Sequence, residues 1–201
     1  FVINFLTFSQ DIGPDGSLAY QVPIKTPEGR GVNPSISLEY DSNAGNGMVG
    51  VGWNLTGLMS ITRNPAYGID FDGSDKYLLN GEPLYYNSGE DRYHTESEKY
   101  WKIKAYNLNT SASYWKIWKP DGTIIYLGST SDSHINAAGE AGKAHCWMMN
   151  KVTDRNGNYY TVSYYEDSTN GDWYPNEIKY THNTGSNPDK YHRVQFVYER
   201  R

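Results

Sequence analysis

Apolar and polar residues alternate with a period of two along much of this chain, as expected for strands with one wet face. In "SISLEY", Ile36, Leu38 and Tyr40 share one face while Ser35, Ser37 and Glu39 share the other. "TVSYYE" repeats the pattern with Val162 and Tyr164, and "RVQFVYE" with Val194, Phe196 and Tyr198. Between such runs lie Asp15-Gly16, Asp72-Gly73, Asn80-Gly81, Asp121-Gly122 and Asn156-Gly157. These dipeptides accept the positive φ angles of tight hairpin turns, so each predicts a strand reversal. Trp115–Gly128 and Trp147–Tyr165 both read as Trp, strand, Asp/Asn-Gly turn and Tyr-bearing strand, and "YGIDFDGSDKYLLNGEPLYY" is a variant with two turns. The spacing is too irregular for a strict repeat and predicts stacked hairpins. Two segments offer a helix, "SHINAAGEAGKAH" and the stretch around Ser88–Glu98. The first carries Gly139 and Gly142, each costing about 1 kcal/mol in a helix interior, and reads as a loop with at most one helical turn. The predicted fold class is all-β, with antiparallel sheets built from successive β-hairpins.

Composition agrees. Only 37% of the 201 residues are apolar, yet 15% are aromatic, including 19 Tyr and 6 Trp. Such rings cover half-buried sheet faces while their polar atoms still reach a partner. The net charge of −5, with 18 Lys and Arg scattered along the sequence, argues against a nucleic-acid partner. The single cysteine, Cys146, excludes an internal disulfide and a Cys-rich zinc site, and leaves the compartment open. No apolar run approaches the roughly 18–20 residues of a membrane-spanning helix. The opening "FVINFLTFSQ" lacks a basic n-region and an initiator Met, and "VQFVYERR" ends in a strand-like pattern. The chain is expected to be a fragment of a longer protein.

Gly45-Asn46-Gly47-Met48-Val49-Gly50 satisfies the G-x-G-x-x-G pattern of a dinucleotide loop, with Asp70 at about the distance of its acidic residue. That loop works only where a buried parallel strand feeds a helix whose N-terminus holds the pyrophosphate. Here the preceding strand alternates, and "VGVGWNLTGLMSITR" is rich in glycine and β-branched residues and is closed by Pro65. The expectation is structural: glycines that let two backbones approach, or that bend a strand around Trp53. Asp70 is assigned to a "DFDG" hairpin.

The same region resembles the opening signature of the Salmonella virulence plasmid B protein (SpvB) family, a module that also begins the B subunits of insecticidal Tc toxin complexes. The matching elements are Tyr20-x-x-Pro23-Ile24, Pro27-x-Gly29-Arg30-Gly31, Pro34-Ser35-Ile36-Ser37-Leu38, Tyr40-x-Ser42, Gly45-Asn46-Gly47, Gly50-Val51-Gly52-Trp53, Leu55, Gly57-Leu58 and Ile61-Thr62-Arg63. Later matches follow in order: "YLLNGEPL", "WKIWKPDGTIIYLG", "WMMNKVTDRNGNYYTVSYY", "PNEIKYT" and "VQFVYERR". The likeness runs from Gly16 to Arg201 and implies one module over residues 1–201. Within it, 1–15 form a lead-in, 16–64 the glycine-rich signature and 65–201 the hairpins. It further implies a place in an RHS/YD-repeat β-shell that encloses or presents a C-terminal effector, the ADP-ribosyltransferase activity of the virulence protein lying in a separate domain. Partners would then be the rest of the same polypeptide, propeller and shell, and other toxin-complex subunits. Neither nucleic acid nor membrane insertion by this segment is expected. The resemblance also implies a secreted bacterial protein, with or without assembly in the cytoplasm before export.

No catalytic, cofactor-binding or metal residue carries over from that family. The chain offers candidates of its own. Ser129-Thr130-Ser131 and Glu96-Ser97-Glu98 spell two ADP-ribosyltransferase motifs in reversed order, and chance explains such short strings. Asp70, Asp72 and Asp75 offer oxygens to Ca²⁺ without EF-hand spacing. His134, His145 and Cys146 lack zinc-ligand spacing, and neighbours on a strand point to opposite faces. Cys146 reads as a packing residue. Trp101, Trp115, Trp118, Trp147 and Trp173 are candidate platforms for sugars, the basis of an alternative adhesive or carbohydrate-binding reading. Because Trp115 and Trp118 are three apart, alternation puts them on opposite faces. The expectation is a non-enzymatic structural module without site residues or cofactors.

Overall fold

The computed structural model describes residues 10–12, 16–137, 142–167, 172–185 and 191–199. The fold is all-β: apart from two 3₁₀ turns, Pro65–Tyr67 and Ser131–Ser133, the regular elements among the described residues are strands. They gather into two compact units, Phe1–Thr26 with Pro34–Leu58, and Pro27–Asn33 with Met59–Arg201.

The first unit is a four-stranded antiparallel sheet of β1 (Gln10–Ile12), β2 (Leu18–Ile24), β3 (Ile36–Asp41) and β6 (Trp53–Thr56), in that order. A two-residue ribbon, β4 (Asn46–Gly47) and β5 (Gly50–Val51), interrupts the path from β3 to β6. Alternation set the register. Tyr20, Tyr40 and Trp53 are cross-strand partners, and their rings meet 5.3–6.0 Å apart. The opposite face is polar. Glu39 accepts hydrogen bonds from Gln21 Nε2 (2.9 Å) and Thr56 Oγ1 (3.0 Å).

In the second unit a meander runs through β7 (Ser60–Arg63), β8 (Tyr77–Leu79), β9 (Glu82–Asn87), β10 (Arg92–Thr95), β11 (Lys102–Tyr106), β12 (Tyr114–Trp118) and β13 (Ile124–Leu127). After the short β14 (His134–Asn136) comes β15 (Ala144–Thr153), which pairs with β13 through Met149–Thr153 and with β7 through Cys146–Met148. That double pairing closes β7–β13 and β15 into an eight-stranded antiparallel barrel. A barrel of eight strands is just wide enough for its side chains to fill it. The inward set does so: Ile61, Ile103, Trp115, Ile117, Leu127 and Trp147 are all 0% exposed. Trp147 Nε1 donates to Ser113 Oγ (3.0 Å). Trp115 Nε1 has no acceptor among the described residues and is enclosed by the rings of Tyr77, Tyr93 and Trp147.

From β15 the sheet continues outward into β16 (Asn158–Asp167), β17 (Asp172–Asn183) and β18 (His192–Gln195). Val162, Tyr164, Ile178 and Tyr180 are buried on one face of this extension. Tyr164 donates to Met149 O (2.7 Å) and Tyr180 to Pro27 O (3.1 Å).

The turn dipeptides behave as their chemistry requires in three cases. Asn80-Gly81 is a two-residue hairpin with both φ angles positive (49° and 84°). Asp121-Gly122 and Asn156-Gly157 close matching loops, the glycine in the left-handed region and its N–H bonded back to Lys119 O and Asp154 O. Asp72-Gly73 differs: it lies in the long β7–β8 loop, where Ser74 N and Oγ both bond Asp72 Oδ1. Asp15 lies outside the described residues. Of "SHINAAGEAGKAH", read as a loop, His134–Asn136 instead form β14, because β15 offers them a free edge; Ala138–Ala141 lie outside the described residues. The stretch around Ser88–Glu98 is the β9–β10 turn followed by β10, without helix.

Candidate functional site

The glycine loop folds back on itself. Gly52 N donates to Gly45 O, and Asp41 N to Gly52 O, both at 2.9 Å, so the segment makes the β4–β5 ribbon and delivers the chain to β6 rather than to a helix. Two glycines are obligatory. A Cβ on Gly47 would lie 2.3 Å from Trp53 O, and Gly52 holds φ +77° with a would-be Cβ 2.5 Å from the Tyr40 ring. Among the described residues no helix N-terminus faces this loop, so it lacks the setting a pyrophosphate site requires. Asp70 lies in the β7–β8 loop, where its N–H bonds Asp75 Oδ1 (2.9 Å).

The other nominated groups are dispersed. Glu96 and Glu98 follow β10, whereas Ser129–Ser131 follow β13, and β11 and β12 intervene in the barrel. Ser129 bonds Asn150, and Thr130 bonds Ser133. No group of three His, Cys, Asp or Glu side chains able to hold a metal occurs among the described residues. His134 contacts Thr130 O (3.1 Å), and His145 and Cys146 point to opposite faces of β15. Burial pushes the Cys146 thiol up to about 12, so it stays protonated at neutral pH, the opposite of an activated nucleophile. Burial also holds His145 below the ordinary imidazole range. Of the proposed sugar platforms, Trp115 and Trp147 are core residues, a correction with a plain cause: inward positions of a filled barrel have no access to ligand. Trp118 and Trp101 sit outside, their faces taken by the ammoniums of Lys102 (5.3 Å) and of Lys99 and Lys119 (5.5 and 5.0 Å).

Two features were missed in the sequence. Arg63, at an inward position of β7, is 1% exposed. It pairs with Asp75, donates to Ala144 O (2.8 Å) and Asn109 Oδ1 (2.8 Å), and lies against the rings of Phe71, Trp147 and Tyr77 at 4.7, 5.4 and 5.7 Å. One guanidinium thus ties the β7–β8 loop, the β11–β12 loop and the start of β15. Phe71 and Asn109 are both held at positive φ (55° and 64°), conformations that persist only where the surroundings enforce them. The sequence signal was an arginine in phase with Ile61.

The second is a cleft of about 500 Å³ lined by Tyr67, Tyr77, Tyr85, Tyr86, Tyr93 and Pro83. Tyr67, Tyr85 and Tyr86 are more than half exposed. Burial raises the Tyr77 and Tyr93 phenols, and the Asp91 carboxylate accepting from Tyr86 OH (2.9 Å) raises that phenol too. All three therefore stay neutral donors at physiological pH.

A closed, filled barrel continued by a hairpin sheet defines an all-β antiparallel module. The chain belongs to the family described as Salmonella virulence plasmid 65kDa B protein, whose family model matches residues 12–110 and 91–198. It is 25% identical over 187 residues to Mono(ADP-ribosyl)transferase SpvB of Salmonella choleraesuis (strain SC-B67), covering 80% of this chain and 31% of that protein. The Salmonella typhimurium (strain 14028s / SGSC 2262) protein matches to the same extent. The chain therefore spans about a third of the curated relatives it matches. In fold it is similar to the N-terminal domain of effector protein SpvB from Salmonella typhimurium strain LT2 (TM-score 0.67, 20% identity, 80% of this chain and 62% of that one). It is also similar to a chain of the Photorhabdus luminescens Tc holotoxin pore (TM-score 0.76, 21% identity, 92% and 10%) and to TcdB2-TccC3 without its hypervariable C-terminal region (0.79, 20%, 94% and 10%).

Proposed function

We propose that this chain is a non-enzymatic structural module of a secreted bacterial virulence or toxin-type protein, forming part of a β-shell that encloses or presents a C-terminal effector. The observation that carries the reading is the closed barrel, filled to zero exposure and clamped at Arg63, in a chain whose relatives include parts of toxin and effector proteins. A wall of laddered backbone bonds needs no reactive group. Its partners are the remainder of the same polypeptide and other toxin-complex subunits, and residues 1–201 act as one module. The test is the longer protein carrying this segment. With the wild-type module, protease should spare the downstream effector; with Ile117→Asp it should cut it. NAD turnover by the 201-residue chain alone would overturn the reading. Limited proteolysis that leaves 16–201 as one fragment supports a single module, whereas stable release of 59–201 alone does not.

The tyrosine cleft favours a second reading, adhesion through neutral sugars, because its exposed phenols combine flat faces with donors. Glycan-array binding lost on Tyr85→Ala would favour it; an empty array would remove it.

A further inference from the structure

The strand register of the second unit collects cations that the sequence disperses. Lys104 pairs with Lys116, Lys116 with Tyr126, Tyr126 with Lys151, Lys151 with Thr161, Thr161 with Lys179, and Lys179 with Arg193. These seven residues form one row across β11, β12, β13, β15, β16, β17 and β18, on the face opposite the buried Ile103, Ile117, Ile125 and Ile178. At about 4.8 Å per strand the row is about 29 Å long. Five of its seven positions are cationic in a chain of net charge −5. Lys104 and Lys116 stand directly opposite each other, an arrangement that costs stability. Asp91 offsets Lys104 (2.6 Å), and Glu177 offsets Lys179 (3.0 Å) and Arg193 (3.6 Å). Among the described residues no carboxylate lies within 4.0 Å of Lys116 or Lys151, at the centre.

Aromatic rings lie against these two ammoniums. Lys116 lies 4.9 Å from the Tyr126 ring and Lys151 lies 4.2 Å from the Tyr159 ring. Lys151, Thr161 and Lys179 also line a groove of about 310 Å³ together with Ser129, Thr130 and Ser163, with Asp132 and Glu177 as its acids.

We propose that this row is a binding track for a sulfated polysaccharide. Charge complementarity selects a linear polyanion, and the surroundings select among polyanions. The ring faces are spent: Tyr106 stacks on Tyr114 (4.8 Å), Tyr159 on His182 (5.0 Å), and Lys179 covers Tyr191 (5.2 Å). Single-stranded nucleic acid needs open faces for its bases. An acidic peptide laid across the strands gains no backbone ladder, which strand addition at a sheet edge would supply. It would rest on exposed ion pairs alone, which are individually weak. A sulfated glycan brings charges for the lysines, which act as point charges, and hydroxyls for Thr161, Ser129 and Ser163.

Heparin is the probe. The 201-residue chain, despite its net negative charge, should be retained on heparin at low salt. Lys116→Gln/Lys151→Gln should weaken binding at least about tenfold and lower the log K against log salt slope by about two, one per charge removed. Lys116→Arg/Lys151→Arg should retain it, and Lys25→Gln/Arg30→Gln should leave it unchanged. His182 gives a readout free of retention artefacts. Burial, Lys179 and Lys151 hold its pKa down, and bound polyanion should move its NMR titration upward. No retention of the wild type, equal losses in the row and control variants at unchanged melting temperature, or tighter binding of polyglutamate or oligo-dT than of heparin would each overturn the proposal.

Discussion

Gly52 shows how one residue decides a reading. Its left-handed backbone and the Tyr40 ring leave no place for a side chain. Gly52→Val should cost more than the roughly 1–2 kcal/mol charged to an L-residue in that region, measured by urea unfolding, and nucleotide titration should show no binding in either protein. Arg63 is the other pivotal residue. Removing its partner with Asp75→Ala strands a buried charge and should cost about 3–5 kcal/mol, whereas Arg63→Met/Asp75→Leu should recover part of that loss; a double-mutant cycle by denaturant melts checks both. Cys146 supplies a pH dependence. Its folded pKa of about 12 lies above the ordinary value of 9.0, so the unfolded chain releases this proton first. The thiol's contribution is intact below pH 9 and is lost as pH rises toward 12, at up to about 1.4 kcal/mol per pH unit. The buried phenols of Tyr160 (about 12) and Tyr164 are raised in the same direction. Stability should fall above pH 9, and Cys146→Ser should reduce the slope.

Among the elements, β15 carries the architecture. One edge takes β13 and β14, the other β7 and β16, so its backbone is bonded on both sides over most of ten residues. Hydrogen exchange should therefore protect the β15 amides longest, while β18, an edge strand of four residues, exchanges early. Faster exchange in β15 than in β18 would contradict the closed ring. The strand's sequence shows why it spans two environments: Trp147 and Met149 turn into the barrel, Cys146 and Met148 into packing on the opposite face, and all four are buried. A strand apolar on both faces gives no alternation, which is why its central role was not legible from periodicity.

For the whole molecule, closure of the strand ring fixes which side chains face inward and which face outward. Among the described residues, Ile61, Ile103, Trp115, Ile117, Leu127 and Trp147 fill the barrel interior. Trp115→Ala, which removes one of the two tryptophans filling that interior, should cost about 3–5 kcal/mol and lower the melting temperature without altering heparin retention, since the lysine row lies on the outer face.

The sequence by itself determined most of the strands, the hairpin turns at Asn80-Gly81, Asp121-Gly122 and Asn156-Gly157, the facing of Trp115 and Trp118, and the family. These depend on local φ preferences and on alternation, which act within a few residues. It did not determine that β7 and β15, more than eighty positions apart, close a barrel, that Arg63 gathers two loops and the start of β15, or that Lys104, Lys116, Lys151, Lys179 and Arg193 align. Each depends on which strand pairs with which and in what register, and pairing energy is nearly the same for many partners until a shared core selects one.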